Sequence, residues 1–192
     1  MIIKKYILAG LIASLLVGCA TGNTPETKKK NAREETASAL EKIYEDHPDA
    51  KTVVNANKAH VICTGSDSYL FAASTGGGVC TLHNGGLIDY YRFASAGVGA
   101  GIGFKQVAFV YVFLNSDALK RFKESGWDGG ARAEASAEHD GEGGNASANQ
   151  SADMEGVKIY QANLWGAAAQ ATVQGYKFWH TDFTDDVIEN KE

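Results

Sequence analysis

The stretch LIDYYRFASAGVGAGIGFKQVAFVYVFL, residues 87–114, settles the class of fold. Its first part, Leu87 to Ala94, is rich in aromatic and aliphatic side chains and reads as a long strand. Its last part, Val107 to Leu114, carries no charge and no break. A run that short and that apolar is expected as a central strand covered on both faces. Between them, Gly97, Gly99, Gly101 and Gly103 alternate with Val98, Ala100 and Ile102. No three of these glycines fit the spacing of a nucleotide-binding loop, and no clear helix opens after them. Two readings remain: glycine lets another backbone or ring approach the strand closely, or the segment is a glycine-zipper-like membrane contact.

Strand signals continue on both sides of this stretch. His60 to Cys63 and Tyr69 to Ser74 are candidate strands, and Val79 to His83 returns after Gly76-Gly77-Gly78, so the pair reads as a hairpin. Asn84-Gly85-Gly86 is a further turn before Leu87. After Leu114 comes a clear helix, capped by Asn115 or Ser116, apolar through Leu119 and Phe122, and stopped by Gly126. Ala131 to Ala137 alternates alanine with Arg132, Glu134 and Ser136, a period of two. Asp140 to Ser151 is a glycine- and asparagine-rich reversal, and Val157 to Leu164, Ala167 to Val173 and Tyr176 to Thr181 complete the strands.

The N-terminal part reads differently. Ala37, Leu40, Ile43 and Tyr44 recur at helical spacing after Pro25, His47-Pro48 ends that helix, and Asp49 to Ala59 suits a second short one. The expected class is therefore α+β. An N-terminal helical segment precedes a mainly antiparallel β-sheet, or a partly closed barrel, with one inserted helix.

The first residues read as an export signal. Lys4 and Lys5 precede an apolar run from Tyr6 to Val17. Twelve helical residues span about 18 Å, too little for a hydrocarbon core of about 30 Å, so the run is a signal and not a membrane span. Leu16-Val17-Gly18-Cys19 has the pattern of a lipobox, which makes Cys19 the expected acylated N-terminus. The alternative is an ordinary secretory signal cut after a small residue. Two or three acyl chains anchor stably where one is marginal. The expected organisation is a signal peptide at 1–18, a lipidated tether at 19–27, a helical region at 28–58, a β-rich domain at 59–182 and an acidic tail at 183–192. Ala20 after Cys19, where Asp would signal inner-membrane retention, points to the periplasmic face of the outer membrane in a Gram-negative host.

Cysteine usage and charge narrow the function. Cys63 and Cys80 remain once Cys19 is acylated. In an oxidising compartment they either form a disulfide closing a loop of roughly 18 residues or stay as buried thiols. The formal charge of −5 falls to −7 when the two positive charges of Lys4 and Lys5 leave with the signal. So acidic a chain is a poor ligand for nucleic acid.

Several segments together resemble the SYLF-domain family. They are Tyr90-Tyr91-Arg92-Phe93-Ala94-Ser95-Ala96-Gly97, Gly101-Ile102-Gly103 and Val110-Tyr111-Val112-Phe113-Leu114-Asn115. Ala118-Leu119, Phe122, Trp127, Gly129-Gly130-Ala131 and Ala133 continue the likeness in order, as do Gly166 and Gly175-Tyr176-Lys177. The resemblance covers roughly residues 47–181. Its opening departs from the family, with Cys63-Thr64 in place of the usual Phe-Pro, which suggests that a disulfide substitutes for packing at that edge. The resemblance implies lipid binding. Eukaryotic members bind phosphoinositides with the help of a basic amphipathic helix, and some yeast members bind actin, which does not transfer to an exported lipoprotein. No catalytic activity is implied.

The candidate residues each carry two readings. Lys28, Lys29, Lys30 and Arg33 lie close to Cys19. They either meet an anionic leaflet, each adding about 1 kcal/mol, or solubilise a linker. Trp127, Tyr160, Trp165, Phe178 and Trp179 either line an apolar ligand site or belong to the core. His139-Asp140 with Glu138 and Glu142 either holds a cation weakly or is a solvated hairpin. The histidines lack metal-ligand spacing and no serine lies in G-x-S-x-G, so neither a metal, a cofactor nor a catalytic residue is expected. The expected function is non-catalytic binding of phospholipid or membrane surfaces by a lipid-anchored envelope protein. The alternative is a structural lipoprotein that binds an envelope protein partner.

Overall fold

A computed structural model of the chain describes residues 22, 24–126, 132–139, 142–145 and 156–184, with backbone alone at 132–139 and 142–145. The segment expected as a signal, Cys19, Trp127 and most of the expected tail lie outside the described residues. Two helices come first. Helix α1 spans Pro25–Asp46; Thr24 caps it by accepting from the Thr27 amide, and Pro25 occupies a first-turn position where no amide hydrogen is needed. Its buried stripe is Ala32, Thr36, Ala39 and Ile43, whereas Ala37 is exposed and Leu40 and Tyr44 are only partly buried. Helix α2, Pro48–Ala56, buries Ala50 and Val54.

Three very long strands follow: β1 at Ala59–Asn84, β2 at Leu87–Phe113 and, later, β5 at Val157–His180. Between β2 and β5 lie helix α3 at Ser116–Ser125 and short strands β3, Arg132–His139, and β4, Glu142–Asn145. All pairings are antiparallel, in the order β1-β2-β5-β3-β4. The class is mixed α+β, with helices preceding an antiparallel sheet.

Strand count differs from the sequence expectation. Gly76-Gly77-Gly78 is not a turn: β1 runs through it, paired with Ser95, Ala94 and Phe93 of β2. Likewise the segments expected as separate strands within 87–114 and within 157–181 are continuous. The turn between β1 and β2 is Gly85-Gly86, with φ of 60° and 94°, which two-residue hairpin turns require.

Gly78 is there because the long strand β1 doubles back on itself. Cys63 and Cys80, 17 residues apart on one strand, are joined by a disulfide with Cα atoms 4.1 Å apart. A Cβ on Gly78 would overlap the Thr64 carbonyl oxygen, and one on Gly65 the Gly77 carbonyl oxygen. The sheet thus has two limbs joined by a bend. Val61, Phe93, Phe109, Tyr111, Phe122 and Phe178 belong to the core between them, under α3. The first limb also packs Ile62, Ala108, Val110 and Val112 against Ile43 and Val54 of α1 and α2. Val107 to Phe113 is buried throughout because it is covered from both sides.

Helix α3 is capped by Asn115, whose side-chain oxygen accepts from the Ala118 amide at 2.9 Å. Gly126, in the left-handed conformation, ends it, and Phe122 is its buried anchor.

Candidate membrane-contacting face

At the bend the ordinary polarity of a sheet is reversed. Along β5 from Trp165 the odd positions are exposed and the even ones mostly buried. The exposed set includes Trp165, Ala167, Ala169, Ala171 and Val173; the buried set includes Gln170, Thr172 and Gln174. Strand β2 repeats this, with Val98, Ala100, Ile102 and Phe104 exposed and alternate glycines between them. The register aligns the outward residues: Val98 faces Val173, Ala100 faces Ala171 and Ile102 faces Ala169. In β3, Ala133, Ala135 and Ala137 stand opposite Val173, Ala171 and Ala169.

Glycine is needed between these outward residues because the neighbouring strands leave no room. A Cβ on Gly99 would overlap the Ala171 carbonyl oxygen, and one on Gly97 would lie 2.5 Å from Ser74 Oγ. What fills the inside is polar. Asp67 accepts from Ser95 Oγ at 3.0 Å and from Tyr69 OH at 3.4 Å. Gln174 donates to Ser74 Oγ and accepts from Tyr176 OH, both at 3.1 Å. Lys105, 1% exposed, lies over the Tyr69 ring.

The outward face carries no charge in the segments 68–76, 95–104 and 165–176. Ile102 is 61% exposed, and Phe104 packs its ring against Trp165 with centroids 5.5 Å apart. On β1 an irregularity in pairing falls between Phe71 and Ala73. Phe71 has φ of 54° and is 79% exposed, beside Leu70 at 67%. A non-glycine residue in the left-handed region costs on the order of 1 kcal/mol or more.

The aromatic set expected from sequence does not converge on one site. Tyr160 is buried in the helix-facing core, where its hydroxyl donates to Asp49 Oδ2 at 2.7 Å. That bond, aided by Lys158, holds the Asp49 carboxyl below the usual carboxylate range. Phe178 is buried in the other core. Trp165 and Trp179 are exposed on the outward side of β5; Trp127 lies outside the described residues. The basic residues are partly engaged within the protein. Lys29 lies over the Tyr90 ring and Lys30 pairs with Glu34 at 3.7 Å, while Arg33 is exposed on α1. His139, Glu138 and Glu142 have no described side chains, so that hairpin has no described site. Among the described residues no group of three His, Cys, Asp or Glu side chains is placed to hold a metal. No described helix is long and apolar enough to cross a membrane, which leaves strands unaddressed.

Fold and face together define an α+β protein that exposes an apolar sheet surface and buries a polar one. No family model matches the chain. It is similar to Beta cell expansion factor A of Aeromonas veronii, 27% identical over 144 residues, which cover 74% of this chain and 53% of that protein. The chain thus spans about half the length of that relative.

Proposed function

We propose that this chain is a lipid-anchored envelope protein, held by acylated Cys19 at the periplasmic face of the outer membrane, whose SYLF-like domain binds phospholipid bilayers without catalysis. The observation that carries the reading is the reversed polarity at the bend. A water-facing sheet places polar residues outward, whereas this one exposes Ile102, Val173 and Trp165 and buries Gln170, Thr172 and Gln174. That is the pattern of a strand facing lipid, and an exposed apolar surface of this extent marks an interaction site. The Cys63–Cys80 disulfide is compatible with export. The return of β1 on itself there supports reading the sheet as a partly closed barrel with α3 as its inserted helix.

The test is co-sedimentation of the exported chain, residues 19–192 carrying Cys19→Ser, with liposomes. Retention without any acyl chain is expected. Equal recovery in the supernatant with and without vesicles would overturn the proposal and turn the search to a protein partner.

A further inference from the structure

We infer that the bend enters the hydrocarbon layer itself, led by Leu70 and Phe71 of β1, so that its ligand is the acyl-chain region of a bilayer and not an anionic headgroup. The inference rests on the membrane reading above and specifies which surface binds and what it binds.

Four observations select this occupant. The first is charge. In the segments 66–76, 95–105 and 165–176 the charged residues are Asp67 and Lys105, and each is only 1% exposed. A surface without cations offers nothing to a phosphate. The second is the interior. Gln170 and Thr172 are buried, and neither the Gln170 amide nor the Thr172 hydroxyl has a hydrogen-bond partner among the described residues. Polar groups turned inward behind an apolar exterior suit a solvent in which the outward face meets hydrocarbon. The third is the aromatic rim. Phe104 and Trp165 stand together at one end of the outward apolar run on β5, Trp165 to Gly175, and Trp179 lies beyond the other, where interfacial aromatics are found. The fourth is Phe71. At the irregularity in β1–β2 pairing its left-handed backbone leaves two successive apolar side chains, Leu70 and Phe71, exposed.

The known alternatives for the site are weaker. The basic residues of α1 are not on this face, and Lys30 is already paired with Glu34. A headgroup would have to bind elsewhere.

The test uses residues 19–192 with Cys19→Ser, the disulfide intact, and a single added cysteine carrying an environment-sensitive dye. Ala100→Cys places the dye on the bend, and Ala37→Cys, exposed on α1, is the control. Vesicles are pure phosphatidylcholine, or phosphatidylcholine with phosphatidylglycerol, at low and high salt. Expected are a blue shift and several-fold rise in emission at position 100 on both vesicles and at both salt concentrations, quenched by lipids labelled deep in the acyl chain, with no change at position 37. Phe71→Asp and Phe71→Gly should each weaken vesicle partitioning about tenfold or more. Phe71→Gly should at the same time raise the urea midpoint, because glycine accepts that backbone; a residue with a merely structural role would not separate the two effects.

Retention on vesicles with a water-like dye at position 100 would overturn this inference while leaving the membrane reading intact. Retention on anionic vesicles alone, abolished by salt, would overturn it in favour of headgroup recognition. Dye protection that appears with protein concentration and without vesicles would assign the face to a second copy. No retention on either vesicle would defeat the membrane reading itself.

Discussion

Breaking the Cys63–Cys80 link should destabilise the protein without abolishing its fold. Both cysteines are fully buried, and they tie the two limbs of one strand across a separation of 17 residues. In the chain-entropy model a loop of that size restricts the unfolded chain by about 3 kcal/mol. The limbs keep other attachments. Phe93 packs on Phe109 at 5.0 Å and Phe178 on Phe122 at 5.5 Å, and each large buried aromatic contributes about 1.5–3 kcal/mol. A domain stable by about 5–15 kcal/mol therefore survives the loss. The perturbation is Cys63→Ala with Cys80→Ala, alongside reduction of the unmodified pair, followed by urea unfolding. With a urea slope of about 1–3 kcal/mol/M, the midpoint should fall by about 1–3 M in both. A shift below about 0.3 M would refute the reasoning. So would a loss in the alanine pair that reduction does not reproduce, since packing and not the link would then account for it.

Acid should weaken the fold through His60. Burial holds its pKa down to about 4 from 6.5, with the charge of nearby His83 a further cause, and the two rings stack at 5.0 Å. Between pH 6.5 and 4 the unfolded chain binds a proton that the folded chain refuses, so stability present above pH 6.5 is lost as pH falls. Allowing for partial exposure, the loss is roughly 2 kcal/mol. Urea midpoints at pH 7.5 and 4.5 check it, and His60→Gln should flatten the profile. Gly78→Ala should cost about 2–3 kcal/mol, because its Cβ would lie 2.6 Å from Gly65 Cα and 2.7 Å from Phe93 Cε1. Gly77→Ala, whose Cβ meets its nearest atom at 3.1 Å, should cost clearly less; equal costs would contradict the close approach of the limbs. Asn115→Ala removes the cap of α3 and should lower stability by about 1 kcal/mol, read by thermal unfolding.

Local signals were legible in the sequence where the chain's neighbours are local. His47-Pro48 separates α1 from α2, Gly85-Gly86 turns β1 into β2, and Asn115 and Gly126 bound α3. The charge-free run Val107 to Phe113 announces its double cover. Gly76 to Gly78 misled because glycine runs normally mark turns. Here Gly78 admits Thr64 and Gly65, more than ten residues earlier on the same strand, a contact that no local pattern reports. The candidate site was half visible. The glycine alternation from Gly97 to Gly103 offered either a close approach or a membrane contact, but a period of two does not say which side is inward. Only the bend, with Gln174 and Tyr176 bonded inside it, assigns the apolar side to the outside. Tyr160 and Phe178 looked like companions of Trp165, yet Tyr160 lies in the limb of β5 that is buried on both faces, Phe178 takes an inward even place, and Trp165 takes an outward odd one.

The central claim, that the outward face of the bend is what binds membrane, is tested most directly on zwitterionic vesicles. Residues 19–192 with Cys19→Ser would be compared with the same chain carrying Val98→Asp and Ile102→Asp, two exposed positions on β2. The account predicts that the first protein sediments with the vesicles in high salt and that the second stays in solution with an unchanged circular dichroism spectrum. Equal sedimentation of the two folded proteins would contradict it.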